Sequence, residues 1–384
     1  MRRYAIVAIG YNRPNSMTRL LRSMAKAEFE GDVVDLIISI DNSGTTDVED
    51  CAKSFDWAHG EKRIVTYPER QGLRKHILNC GNFLADYDAI AVLEDDIVVS
   101  PAFYQYMKAT VEKYIDNDNI AGISLYAPEW NKNVQLPFVP SVSDSDVYFM
   151  QRAQSWGQIW LKNQWADFKE WYQSIFGQWT ETDQLPKHIC GWKETSWLKY
   201  HIRYCVEKNK YFVYPYHSVA TCFADAGQHY DADSSIGQVV LLQTSKKEYV
   251  LHDFDDPNAV KYDVFHEYVS ASGKYDDIDL SDVCFDLYGS KTNYGDKKYV
   301  VSSVALPYKI IAEFGCSLRP HEQNIIYGLP GNSYRLYALE ETDASRKLNN
   351  TTGLLRYHLR LYNNAKKIMK YVMMHILGHF KNNH

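Results

Sequence analysis

From residue 4 to about 125, short β-branched and apolar runs alternate with stretches of helical period. The runs Tyr4 to Ile9, Val33 to Ile40, Arg63 to Tyr67, Ala89 to Leu93 and Ile120 to Leu125 have the length and composition of buried strands. Between the first two, Met17, Leu20, Leu21 and Met24 fall on one face of an amphipathic helix. Leu73, Ile77, Cys80 and Leu84 repeat the spacing between the third and fourth. Strands alternating with helices build right-handed βαβ units, so the chain reads as α/β with a mainly parallel sheet.

Beyond this stretch the pattern changes twice. From about 126 to 250 the chain is rich in Trp and Tyr and carries "SWGQIW" (155–160), "GWKETSW" (191–197) and "SVATCFADAGQH" (218–229). From about 275 to 340 the helical period gives way to alternating strands punctuated by Gly and Pro, a small β-rich appendage. In the tail, Leu354, Leu361, Ala365, Ile368, Val372, Ile376 and Phe380 form one stripe of a helix. Arg356, Arg360, Asn363, Lys367 and Lys370 form the opposite stripe. Residues 343–384 hold eight Lys or Arg against one Asp. A basic amphipathic helix over 354–380 suits an anionic membrane surface, and it equally suits docking on its own protein. The expected layout is therefore a domain over 1–270, a small β-rich domain over 271–342 and a terminal helix over 343–384.

Composition changes this picture little. The formal charge of -6 leaves no basic footprint for nucleic acid. Thirty Tyr and nine Trp make the chain aromatic-rich, weak support for a carbohydrate site because flat rings cover the apolar faces of sugars. The seven cysteines show no CxxC pair and no zinc-like spacing, the pattern of reduced thiols in a cytoplasmic protein. The apolar run after Arg2 and Arg3 breaks at Gly10, which reads as a first strand in place of a secretion signal. No segment approaches the ~20 apolar residues that cross a bilayer. The expected place is the cytoplasm, with the tail able to rest on the inner face of the cell membrane.

Candidate chemistry sits at the strand ends. Parallel sheets bind ligands beyond the carboxyl ends of their strands. There the chain has "GYNRP" (10–14), "DNSG" (41–44) and the acids Glu94, Asp95 and Asp96. Three adjacent carboxylates repel one another and resist burial, so a cation belongs beside them. Carboxylate oxygens are ligands for Mg²⁺ or Mn²⁺, which bridge one or two of them to substrate phosphates.

The segments "IVAIGYNRP", "ISIDNSG", "VLEDDIVVSPAFYQYM", "SWGQIW", "GWKETSW" and "SVATCFADAG" together resemble glycosyltransferases of the GT-A fold. Within that fold the chain is similar to the N-acetylglucosaminyltransferase I family and to bacterial transferases of surface-polysaccharide synthesis. The resemblance covers residues 4 to about 230. It implies a Rossmann-like nucleotide-sugar-binding fold and a metal-dependent, inverting transfer from a UDP-sugar. By position it makes Asp96 the metal ligand, with Mn²⁺ or Mg²⁺ as cofactor. Glu94 and Asp95 would contact donor sugar and ribose, Asp41 the uracil, and Arg13 the nucleotide. The family's base lies in a Trp-Asp-Asp-Trp segment. Its nearest match is Glu194, between Trp192 and Trp197, with Asp225 as the rival.

Other candidates follow from the residues themselves. Arg74 and Lys75 could add positive charge near the phosphates. Gly157 would allow close backbone approach on the acceptor side, where Trp156 and Trp192 could stack on sugar. By resemblance to some GT-A enzymes, in which a late His does so, His229 could complete a metal shell. The expected function is a hexosyl-type transferase moving a sugar, an N-acetylhexosamine among the candidates, onto a glycan or lipid-linked glycan. Two alternatives stand beside it: a sugar-phosphate nucleotidyltransferase, whose Gly-rich phosphate loop "GYNRPNSM" lacks, and a non-catalytic carbohydrate-binding or membrane scaffold.

Overall fold

The computed structural model describes residues 2–180, 182, 184–223, 225, 235, 237–345, 349, 351–360, 369 and 373. It divides into two compact units: residues 1–129 with 141–270, and residues 130–140 with 271–384.

The first unit opens with alternating strands and helices. These are β1 (Tyr4–Gly10), α1 (Pro14–Met24), β2 (Val34–Ile40), α2 (Asp47–Ser54), β3 (Lys62–Thr66), α3 (Leu73–Cys80), β4 (Ala89–Glu94), β5 (Ile97–Val99), α4 (Phe103–Tyr114) and β6 (Ile120–Ser124). Five of these strands match the apolar runs within a residue or two. Met17, Leu20, Leu21 and Met24 are all buried, as their spacing requires. The short hairpin β7 (Trp130–Asn131) and β8 (Leu136–Pro137) belongs to the second unit. The first unit resumes with β9 (Val147–Met150), β10 (Gln158–Leu161), α5 (Lys162–Ser174), α6 (Lys187–Cys190), α7 (Leu198–Glu207), β11 (Tyr211–Pro215), β12 (Ala220–Cys222) and β13 (Lys261–Tyr262).

Nine of these strands form one sheet in the order β13-β9-β11-β6-β10-β4-β1-β2-β3. Strands β3, β2, β1 and β4 are parallel neighbours, and β11 runs parallel to β6. Strand β10 is wedged antiparallel between β4 and β6. The sheet is thus mainly parallel, a mixed α/β layer of the GT-A type, with β1 fully buried and most of β2 and β4 with it. Register aligns the strand ends: Ile9 lies opposite Glu94, and Gly10 lies opposite Ile40. The first turn after β1, the residue after β2 and the acids after β4 therefore emerge on one rim.

Two buried histidines give this unit an acid-sensitive core. The His76 ring nitrogen Nε2 is 2.8 Å from Ser39 Oγ, and burial pulls the imidazole down to about 4, against the opposing charge of Asp41. Burial alone takes His201, stacked 4.2 Å from Phe168, down to about 3. Both are neutral in the fold but take up protons in the unfolded chain below about 6.5, so the stability they contribute is present above that pH. It is lost as pH falls toward 4. Chemical denaturation should show His201→Phe losing less stability than the native chain between pH 7 and 4, a difference on the order of 1–3 kcal/mol. Parallel pH curves for the two proteins would contradict this.

The second unit holds a four-stranded sheet in the order β16-β17-β19-β18, from β16 (Val283–Phe285), β17 (Tyr299–Ser302), β18 (Tyr308–Phe314) and β19 (Tyr334–Thr342). A small ribbon of β14 (Lys274–Tyr275) and β15 (Ile278–Asp279) precedes it. Helices α8 (Gln323–Ile326) and α9 (Thr351–Leu359) complete the unit, and Leu354 of α9 is buried. This is the β-rich appendage that the alternating pattern predicts. Of the expected tail helix, residues 361–368, 370–372 and 374–384 lie outside the described residues. No helix among the described residues is long and apolar enough to cross a membrane.

Candidate active site

The rim site starts at Arg13, the residue before the first turn of α1, where Pro14 sets the helical φ without needing an amide hydrogen. Arg13 Nη2 donates to Asp95 Oδ1, and Nε reaches Asp95 Oδ2 at 3.3 Å. The same Nη2 lies 3.3 Å from Asp96 Oδ2. The Asp95 side chain is only 6% exposed, whereas Asp96 is 25% exposed. Burial pushes Glu94 up to about 8, with the charges of Asp96 and Asp95 adding to the effect and Arg13 opposing it. Burial also raises Asp95, to about 6, against Arg13. One guanidinium therefore leaves the three acids short of positive charge.

Strand β12 closes the far side. It pairs antiparallel with β5, immediately after the acids, and the Phe223 amide donates to the Asp96 carbonyl at 2.6 Å. Two residues on, Asp225 Oδ2 accepts from Ser16 Oγ at 2.7 Å and from Arg19 Nη2, both on α1. The Arg19 guanidinium also stacks 3.8 Å over the Phe223 ring. Burial works to raise Asp225, but the hydrogen bonds from Arg19 and Ser16 prevail and hold it below the usual carboxylate range. Ser16 and Arg19 are absent from the sequence expectations. Their signal was a pair of polar residues one turn apart beside the buried Met17 and Leu20.

Asp41 is tied into its own chain. It is buried, and its Oδ1 accepts from the amides of Asn42 at 2.9 Å and Gln71 at 2.7 Å, while Oδ2 accepts from Gly72 at 2.9 Å. The carboxylate thus fastens the loop that leads into α3. Gly72 takes φ +74 there, a conformation that favours glycine. In the first turn of α3, Arg74 Nη1 donates to the Tyr200 hydroxyl at 2.8 Å, so this guanidinium is engaged by α7. Lys75 is exposed.

Glu194 is exposed on the loop between α6 and α7. That loop is held by Lys199, whose Nζ donates to the Trp192 carbonyl at 3.0 Å and lies 4.2 Å over the Trp179 ring. Lys199 is buried, and desolvation lowers its pKa while the nearby Glu194 raises it. Half-buried Trp192 meets His188 edge-on at 5.7 Å. Trp156 meets Tyr126 edge-on at 4.8 Å and packs under Gly237. Gly157, at φ +87, would bring a side chain within 3.1 Å of Ala220 and 3.3 Å of Leu125, so local packing accounts for its lack of one. His229 lies outside the described residues.

The first part of the chain matches a known family. Residues 5–168 match the family model described as glycosyl transferase family 2. These residues form a GT-A glycosyltransferase domain. The matched stretch holds Arg13, Asp41, Arg74, Lys75 and the acids 94–96, with Trp156 and Gly157, whereas Trp192, Glu194 and Asp225 lie beyond it. No curated protein matches the sequence. Among solved structures, similarity extends to S. aureus TarS 1-349 in complex with UDP-GlcNAc, at 13% identity and TM-score 0.26 over 39% of this chain and 34% of that one. The same protein in complex with UDP aligns at 11% identity and TM-score 0.36, over 55% and 57%. The mannosyltransferase PcManGT from Pyrobaculum calidifontis, in complex with GDP-Man and Mn²⁺, aligns at 13% identity and TM-score 0.30, over 42% and 45%. The chain spans between 34% and 57% of the length of these structures.

A divalent cation fits the donor set at the end of β4. Among the described residues no three His, Cys, Asp or Glu side chains enclose a metal. A GT-A transferase does not need such a cage, since Mg²⁺ or Mn²⁺ is held by one or two carboxylates together with substrate phosphates. The crowding of three acids against one guanidinium, with Glu94 and Asp95 raised mainly by burial, and the accessible carboxylate of Asp96 suit such a cation.

Proposed function

We propose that the chain is a metal-dependent, inverting glycosyltransferase that moves a sugar from a UDP-sugar to a glycan or lipid-linked glycan in surface-polysaccharide synthesis. The observation that carries this reading is the meeting, on one sheet rim, of Arg13 with Asp95 and Asp96, directly after Glu94 at the end of β4. Asp96, the most accessible oxygen donor in contact with Arg13, would hold the cation, with Asp95 and Glu94 turned to the donor. Bound there, the cation supplies charge that offsets the departing diphosphate.

The chain's own residues do the rest. Arg13 orients Asp95. Asp41 sets the loop 71–72 against which the nucleotide lies, offering the uracil its remaining lone pair on Oδ2. Glu194 takes the proton of the acceptor hydroxyl as the new bond forms, because an exposed carboxylate that no guanidinium pairs with among the described residues is a better base than Asp225 beside Arg19. The basic stripe of residues 354–380 supports a resting place on an anionic, inner-leaflet surface.

Thermal melting against a panel of nucleotides and nucleotide sugars tests the donor class. UDP or a UDP-sugar at about a hundred times its Kd should raise the midpoint by roughly 5 °C with Mn²⁺, and EDTA should abolish the rise. Slow release of UDP from the preferred sugar nucleotide should accompany it. A chain stabilised by UTP and releasing pyrophosphate with a sugar phosphate would be a nucleotidyltransferase. Indifference to every nucleotide would leave only a binding scaffold.

A further inference from the structure

Arg13 makes two unequal contacts with the acids after β4. Its grip on Asp95 is a two-point fork to a carboxylate that is 6% exposed. Its hold on Asp96 is one 3.3 Å contact from a nitrogen already given to Asp95, to a side chain that is 25% exposed. Arg19, the other arginine whose charge reaches Asp95, is committed to Asp225 and to the Phe223 ring. A guanidinium and a divalent cation compete for the same carboxylate oxygens, and the weaker, wetter contact yields first.

We propose that Arg13 is an exchangeable counter-ion. In the cation-free protein it holds the Asp96 carboxylate; when a divalent cation binds, it releases Asp96, keeps Asp95 and turns its freed edge to the donor diphosphate. This rests on the metal-dependent reading above and adds to it an order of events: the arginine leaves Asp96 as the metal arrives. Asp95 serves as the pivot, because its fork stays made in both states. The charge at the rim is thus supplied by the chain until the substrate-bearing cation takes over, and Arg13 then becomes a diphosphate contact.

The two roles give Arg13→Met opposite effects on two ligands. Removing the competing charge should tighten binding of Mn²⁺ alone about tenfold, the order expected for one like charge a few ångströms away at a partly exposed site. Binding of UDP at saturating Mn²⁺ should weaken by about tenfold or more, because the diphosphate loses a charged partner. Free Mn²⁺ can be followed by its electron paramagnetic resonance signal and UDP by calorimetry, both on the full chain. Arg13→Gln, which keeps a neutral donor to Asp95, should show the same signs and serves if the methionine variant misfolds. A residue that merely props the acids in place would weaken both ligands together. Mn²⁺ affinity unchanged or lowered in both variants overturns the exchange while leaving the metal reading intact. Absence of Mn²⁺ binding to the native chain, even with UDP, removes the metal reading and the exchange with it.

Discussion

Asp96→Ala should abolish the dependence of UDP binding on Mn²⁺ and lower sugar transfer by at least about a thousandfold, the scale of losing a metal's charge stabilisation at a leaving diphosphate. Asp96 is the acid whose loss disturbs the fold least. It is a quarter exposed, and its tie to β12 runs through its backbone carbonyl, which alanine retains. Asp95→Ala is a poorer experiment, since it leaves the half-buried Arg13 without its fork and confounds folding with binding. Calorimetry of UDP with and without Mn²⁺ distinguishes the outcomes. Metal-dependent binding that survives in the alanine variant moves the ligand to Glu94 or Asp95.

Glu194→Gln should lower transfer by two to four orders of magnitude and leave Mn²⁺-dependent UDP binding near native, as expected for a group that acts only on the acceptor proton. Asp225→Asn should behave differently. Its carboxylate is tied to Ser16 and Arg19, so neutralising it loosens the segment after β12 from α1 and should affect stability and donor affinity before turnover. Single-turnover kinetics with the donor bound separates the two. Loss of the chemical step in Asp225→Asn with a normal Glu194→Gln would exchange the assignments.

The fold was legible where burial follows a local period. Short, uniformly apolar runs such as Ala89 to Leu93 have the length of central strands, and the three- and four-residue spacing of α1 is that of a packed helix. Helix α2 was missed because only Val48 and Ala52 are buried among its eight residues, too few to mark a face. Strand β10 was missed for another reason. Its four residues sit between Gly157 and α5, and only pairing with β4 and β6, far off in sequence, gives them direction.

The same boundary divides the site. The acids at 94–96 announce themselves by adjacency, since three carboxylates after an apolar run need an explanation within a few residues of themselves. What the partners do is written in contacts between distant segments: Arg13 with Asp95, Asp41 with Gly72, Arg19 with Asp225, Arg74 with Tyr200. No periodicity encodes such meetings. The resemblance set Asp41 toward the uracil and charge set Arg74 toward the phosphates, and the structure engages much of their bonding capacity within the protein.

The hairpin of β7 and β8 bears on how such enzymes can be recombined. The segment that holds it, residues 130–140, is inserted into the sequence of the first unit yet belongs to the second, where β8 packs against α9. A chimera joined only at residue 270 would strand that piece with the wrong half. Grafting the appendage onto another transferase means transplanting two separate segments, so shuffling by a single crossover is a poor route for varying this protein.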